Sequence, residues 1–171
     1  MTTYAALLRA VNVGGTGKLP MTELRALCEA AGLANVRTYI QSGNALFESR
    51  LSASSVKKKL ELALEEHMGK SVRVLVRSAS ELADIVQRSP FPEAPPNRVL
   101  ILFMDDAPPK NALAQLVIPG REQVVLSGRE LFIHFPEGMG QSKLKLPFSK
   151  IATARNMSTV SKLAALAREA R

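Results

Sequence analysis

The chain has 171 residues, room for one ordinary domain or two small ones, and 46% of them are apolar, enough for a packed core. With 22% charged residues it is no disordered chain, and with 5% aromatics and no Trp its core must be Leu, Val, Ile and Ala. A net charge of +8 and a pI near 10.0 invite nucleic acid, anionic small molecules or a membrane surface as partners without requiring any of them.

In chain order, Tyr4 to Val11 reads as a strand, apolar enough to be covered on both faces. Gly14, Gly15 and Gly17 break it, and Pro20 suits a first helical turn. Leu24, Leu27, Cys28 and Ala31 then fall on one helix face, with Gly32 as a stop. Val36 to Ile40 predicts a strand, "SGN" at Ser42 to Asn44 a turn, and "ALFE" the next strand. A helix follows, with Ser52, Ser54 or Ser55 as candidate caps, an apolar face of Val56, Leu60, Ala63, Leu64 and Met68, and a stop at Gly69. Lys57 and Glu61, four apart, suggest its solvated side. Val72 to Val76 closes a β-α-β-β-α-β order, the signature of a ferredoxin-like split βαβ.

Ser78 and Glu81 form a possible capping box before a short helix. The run "SPFPEAPPN" then breaks the chain, and the division is set at residues 1–89 and 90–171. Arg98 to Met104 predicts a strand, and "DDAPPKNALAQL" a turn and a helix. Glu122 to Leu126 and Glu130 to Phe135 flank "SGR" as a hairpin. Gln141 to Leu146 reads as a helical turn, Ile151 to Arg155 as a short strand, and Val160, Leu163, Ala164 and Ala167 as the face of a last helix capped by Ser158 or Thr159. The fold expectation is α+β: two α/β-plait (ferredoxin-like) domains, the second a less regular version with a C-terminal helix.

Charge is unevenly placed. From Gly138 on, seven basic residues face Glu169 alone. Cys28 is the lone cysteine, so no intrachain disulfide forms. "MTTYAALLRAV" lacks a basic n-region, and no stretch approaches the length of a membrane span, so the expectation is a cytoplasmic protein without a membrane partner.

"GGTGK" resembles a phosphate loop. The P-loop pattern, however, puts Asn12 where its first glycine belongs and Leu19 where its metal-binding hydroxyl belongs. A nucleotide triphosphatase is therefore disfavoured, although a glycine turn before a helix, with Lys18 beside it, still attracts anions. His67 and His134 have no partners at metal-ligand spacing, and no nucleophile elbow is present. The RNA-binding aromatic signature of ferredoxin-like sheets is missing, which leaves charge-driven nucleic-acid binding as the alternative reading. A dimeric scaffold that pairs strand edges is a third.

Four stretches, "LLRAVNVGGTGKLPMTELRAL", "VRTYIQSGNALF", "SKLKLPFSKIATARN" and "STVSKLAALA", resemble in order and spacing the bacterial family DUF1697, a domain of unknown function. The resemblance covers nearly the whole chain. It implies two α/β-plait domains and brings no agreed activity, cofactor or catalytic residue. Ala10 departs from the family's usual glycine in "RGINVGG", and Met157 stands where many members have a Trp able to stack on a ligand. The polar residues of these stretches make the candidate site: Arg9, Lys18, Gln41, Asn44, Lys143, Arg155 and Asn156, expected to hold an anionic small molecule in a basic cleft between the domains. No catalytic base, metal or cofactor is assigned.

Overall fold

The computed structural model describes residues 1–12 and 18–169. The chain divides into two compact units, Met1–Ala83 with the chain from Lys162 onward, and Asp84–Ser161. Among the described residues, each unit is built on a four-stranded antiparallel sheet, with four α-helices in all.

In the first unit the order is β1 (Thr2–Leu8), α1 (Met21–Ala30), β2 (Ala34–Thr38), β3 (Asn44–Ser49), α2 (Ala53–Met68) and β4 (Val74–Ser78). The sheet order is β2-β3-β1-β4. β1 pairs with β3 from Thr2↔Ser49 to Leu7↔Asn44 and with β4 from Tyr4↔Ser78 to Leu8↔Val74. Alternation sends Tyr4, Ala6 and Leu8 into one core with Leu24 and Cys28 of α1 and Val56, Leu60 and Leu64 of α2. Ala5 and Leu7, on the other face, are also fully buried, as expected for a central strand.

Local chemistry sets the helix ends. The Ser52 hydroxyl accepts from the Ser55 N–H at 3.2 Å, and Gly69 closes α2 in the left-handed region at φ +71°. Pro20 is the residue before α1 rather than its first turn, and its carbonyl accepts from Glu23 and Leu24. β1 stops at Leu8, not Val11: after a last bond from the Arg9 N–H to the Arg73 carbonyl, just before β4, at 3.0 Å, Ala10 turns the chain at φ +57°. Lys57 and Glu61 do not form a solvated stripe. They are 2.8 Å apart and dock α2 on β4, Lys57 donating to the Val74 carbonyl and Glu61 accepting the Val74 N–H.

The capping box is present at α3 (Ala79–Gln87): Ser78 N–H donates to Glu81, and Glu81 N–H donates to the Ser78 hydroxyl. The second unit carries β5 (Val99–Phe103), β6 (Gln123–Ser127), β7 (Glu130–His134) and β8 (Thr153–Asn156), in the order β6-β7-β5-β8. β8 passes directly into α4 (Met157–Glu169). The residues of α4 from Lys162 on belong with the first unit, where Arg37 donates to the Leu166 carbonyl at 2.6 Å. Asn156, not Ser158 or Thr159, caps α4, its Oδ1 accepting the Thr159 N–H at 2.9 Å.

The largest departure from the sequence expectation lies above the second sheet. Residues 110–115 are successive turns instead of a helix, with Ala112, Ala114 and Leu116 each donating to the carbonyl three residues back. Pro108 and Pro109 precede this segment and the Pro119–Gly120 pair ends it. Gln141 to Leu146 is not a helical turn either. A single 3-10 turn covers Met139–Gln141, and the chain then runs irregularly to β8. The face of Leu102, Met104, Leu131 and Ile133 is therefore covered by Leu113, Met139, Leu144 and Phe148 from irregular chain.

Candidate functional site

The candidate residues divide between the units. Arg9, Lys18, Gln41 and Asn44 belong to the first, and Lys143, Arg155 and Asn156 to the second. The glycines of the phosphate-loop question, Gly14, Gly15 and Gly17, lie outside the described residues.

In the first unit Asn12 is the organising side chain. Its Nδ2 donates to the Leu19 and Gln41 carbonyls, both at 2.8 Å, and its Oδ1 accepts the Leu19 N–H at 2.7 Å. One amide thus joins the start of the α1 segment to the β2–β3 turn, with Asn12 and Gln41 29 residues apart in the chain. Lys18 and Gln41 are exposed at this end of the sheet, and Arg9 is half-buried. Asn44 is fully buried, and its Nδ2 donates to the Tyr39 carbonyl and the Ser42 hydroxyl, closing the turn. Ala10, Asn12 and Ile40 all adopt positive φ, between +49° and +57°. Left-handed backbone costs an L-residue about 1–2 kcal/mol. Ala10→Gly is expected to raise stability by about 0.5–1 kcal/mol, the strain relief less the added entropy of the unfolded chain, read as a higher urea midpoint at unchanged slope.

In the second unit Arg155 is 7% exposed. Its Nη1 donates to the Thr153 hydroxyl and the Ala154 carbonyl, both at 2.9 Å, and burial lowers its pKa to about 10. It has a counterpart that sequence reading missed. Arg77, 1% exposed, sits at the same place on β4, one residue before the cap of the following helix, with Nη1 on the Val76 carbonyl at 3.0 Å. Arg77 pairs with Ala5 of β1, as Arg155 pairs with Ile101 of β5. The signal was there to find: "VRSAS" at 76–80 and "ARNMS" at 154–158 repeat small-Arg-cap at the two strand-to-helix junctions. Met157 is buried, so its position serves packing instead of offering a ring to a ligand.

Lys143 stands in a different setting. The Ser142 hydroxyl accepts the Leu144 N–H at 3.1 Å and donates to Glu122 Oε1 at 2.7 Å, and Glu122 also accepts the Gly120 N–H at 2.9 Å. The Ser142 hydroxyl bond holds the Glu122 carboxyl below its ordinary pKa. Leu144 packs down on the sheet, so alternation along extended chain turns Lys143 and Lys145 outward together. They line a pocket of about 430 Å3 with Gln115, Leu116, Val117 and Pro119. The basic cluster thus lines one side of a cavity, with Gln115 and the apolar Leu116, Val117 and Pro119 on the other.

Other candidates are spent on structure. Burial pushes the Cys28 thiol up to about 12, with Glu29 adding to the shift, so it is no thiolate nucleophile. His67 Nε2 lies 2.9 Å from Glu23 Oε2, and the His134 ring stacks on Phe91 at 5.4 Å. Among the described residues no His, Cys, Asp or Glu group could hold a metal, and no helix is long and apolar enough to cross a membrane.

Among solved structures, the conserved bacterial protein SP0830 from Streptococcus pneumoniae is similar over 97% of this chain and 98% of its own, with a TM-score of 0.80 and 27% identity. No curated protein matches the sequence. Residues 1–132 match the family described as Protein of unknown function (DUF1697), which is most of the chain, and the chain belongs to that family.

Proposed function

We propose that this protein is a two-unit α/β-plait protein whose second unit binds a small organic anion between Lys143 and Lys145 and the apolar wall of Leu116, Val117 and Pro119. The plait reading is supported by the strand orders β2-β3-β1-β4 and β6-β7-β5-β8, which match position for position. The second unit keeps that order without the two helices between strands.

The observation that carries the binding reading is the pocket of about 430 Å3 with two lysines on one side and three apolar residues beside Gln115 on the other. Its volume is in the range of small-molecule sites. Lysine ammoniums are point charges that take a carboxylate, sulfonate or phosphate without the fixed fork of arginine. The apolar wall rewards a ligand whose anionic head carries a hydrocarbon body. Arg155 and Asn44, both buried, and Asn156, which caps a helix, support the scaffold and are left out of this site.

The test is a two-dimensional NMR titration with octanoate, octanol and inorganic phosphate. Octanoate should shift the amides of Gln115 to Val117 and of Lys143 to Lys145. The double variant Lys143→Ala/Lys145→Ala should weaken octanoate about tenfold, since partly exposed charge pairs contribute up to about 1 kcal/mol each. A response to phosphate equal to that of octanoate, or none to octanoate in these segments, would overturn the reading.

A further inference from the structure

The outer surface of the first unit carries a second feature with its own logic. On α2, Val56, Leu60 and Leu64 are buried against the sheet, yet Leu62 stands 59% exposed. Leu62 is one wall of a groove of about 560 Å3 between α1 and α2, floored by Leu27, Ala30, Ala31 and Ala63 and rimmed by Lys59, Glu66 and His67, with Lys59 Nζ donating to the Ala31 carbonyl at 3.3 Å. The small alanines keep the two helices from filling that space, so an apolar knob stands at an apolar-floored, charge-rimmed groove.

The charges around Leu62 are ordered. Lys58 and Lys59 precede it by four and three residues, and Glu65 and Glu66 follow it by three and four, all exposed. We propose that this face is a twofold interface between two copies of the chain, with α2 antiparallel to α2 and Leu62 at the axis. In that arrangement Lys58 meets Glu66 of the partner subunit and Lys59 meets Glu65 of the partner subunit, and symmetry repeats both pairs. Each Leu62 enters the alanine-floored groove of the other copy. A parallel arrangement would set lysine on lysine and glutamate on glutamate, so the charge order selects one orientation. The patch is self-complementary, which is what a closed twofold contact demands of a single surface.

The experiment is sedimentation equilibrium of the full chain over a concentration series from micromolar to near-millimolar. Wild type should show a monomer–dimer equilibrium. Leu62→Glu should be monomeric throughout and should melt with wild type at concentrations where wild type is itself monomeric, because the side chain is exposed. Lys58→Glu/Lys59→Glu makes all four positions acidic, and Glu65→Lys/Glu66→Lys makes all four basic, so each alone should be monomeric. An equimolar mixture of these two should regain dimer of one chain of each kind, which no general loss of folding would produce. A wild type that stays monomeric across the series, a dimer indifferent to these substitutions, or a mixture that fails to re-associate would overturn the proposal.

Discussion

Replacing Gly43 by Ala is expected to cost the protein about 3 kcal/mol and to lower its melting temperature by roughly 6–12 °C. Two effects add. Gly43 adopts φ +89°, where an L-residue is strained by about 1–2 kcal/mol. A Cβ there would also lie 2.6 Å from Val11 Cγ2 and 3.0 Å from Leu8 Cβ, and overpacking of that kind costs typically 1–3 kcal/mol. The turn is seated on the end of β1, with Leu8 N–H donating to the Gly43 carbonyl at 2.9 Å, so it cannot lift away without losing a backbone hydrogen bond. Val11→Ala in the Gly43→Ala background should return part of the loss, because it removes the nearest overlap and leaves the backbone strain. A Gly43→Ala protein that melts with wild type would mean that the turn does not rest on β1.

Arg88→Ala should be comparably damaging. Arg88 Nη2 meets the carboxylate of Glu130, which is only 2% exposed. Nη1 donates to the carbonyl and hydroxyl of Ser127, and the guanidinium lies 5.7 Å from the Phe132 ring centre. One cation therefore fastens the segment after α3 to the β6–β7 hairpin. Removing the cation that faces a buried carboxylate costs on the order of 3 kcal/mol. Arg88→Met with Glu130→Leu should recover much of it, since the two changes together remove both charges of the pair. Asp84→Ala, which removes the exposed partner of Arg88, should cost no more than about 0.5 kcal/mol. Chemical denaturation of the three variants separates these outcomes. A double variant no more stable than Arg88→Ala would show that hairpin packing, rather than charge burial, sets the cost.

These two sites also mark where the sequence could be read and where it could not. Elements announced by local chemistry were legible: Ser52 and Gly69 bound α2, Ser78 and Glu81 box the start of α3, and "SGR" turns the β6–β7 hairpin. Each is decided by a few neighbouring residues. The cover of the second sheet was not legible. The apolar spacing of Leu113 and Leu116 imitates a helix, and only the flanking prolines and glycine tell against it. Depth was hidden as well. Arg155 and Lys143 look alike in a basic segment, yet the first lies within the fold and the second lines a pocket. Asn12 and Arg88 escaped notice because their roles depend on chain segments far away in sequence. Asn44, expected at the binding site, spends its amide on the turn itself.

The irregular chain above the second sheet has an evolutionary consequence. A helix ties each side chain's direction to its neighbours, so moving one residue across a helix turns the whole face. Chain that lies over a sheet as separate turns carries no such coupling. A lysine can be redirected, or a loop lengthened by a residue, without unwinding anything beneath it. The cover of the second sheet can therefore be altered residue by residue while its strands stay fixed, whereas a helix laid over the first sheet changes only as a whole face.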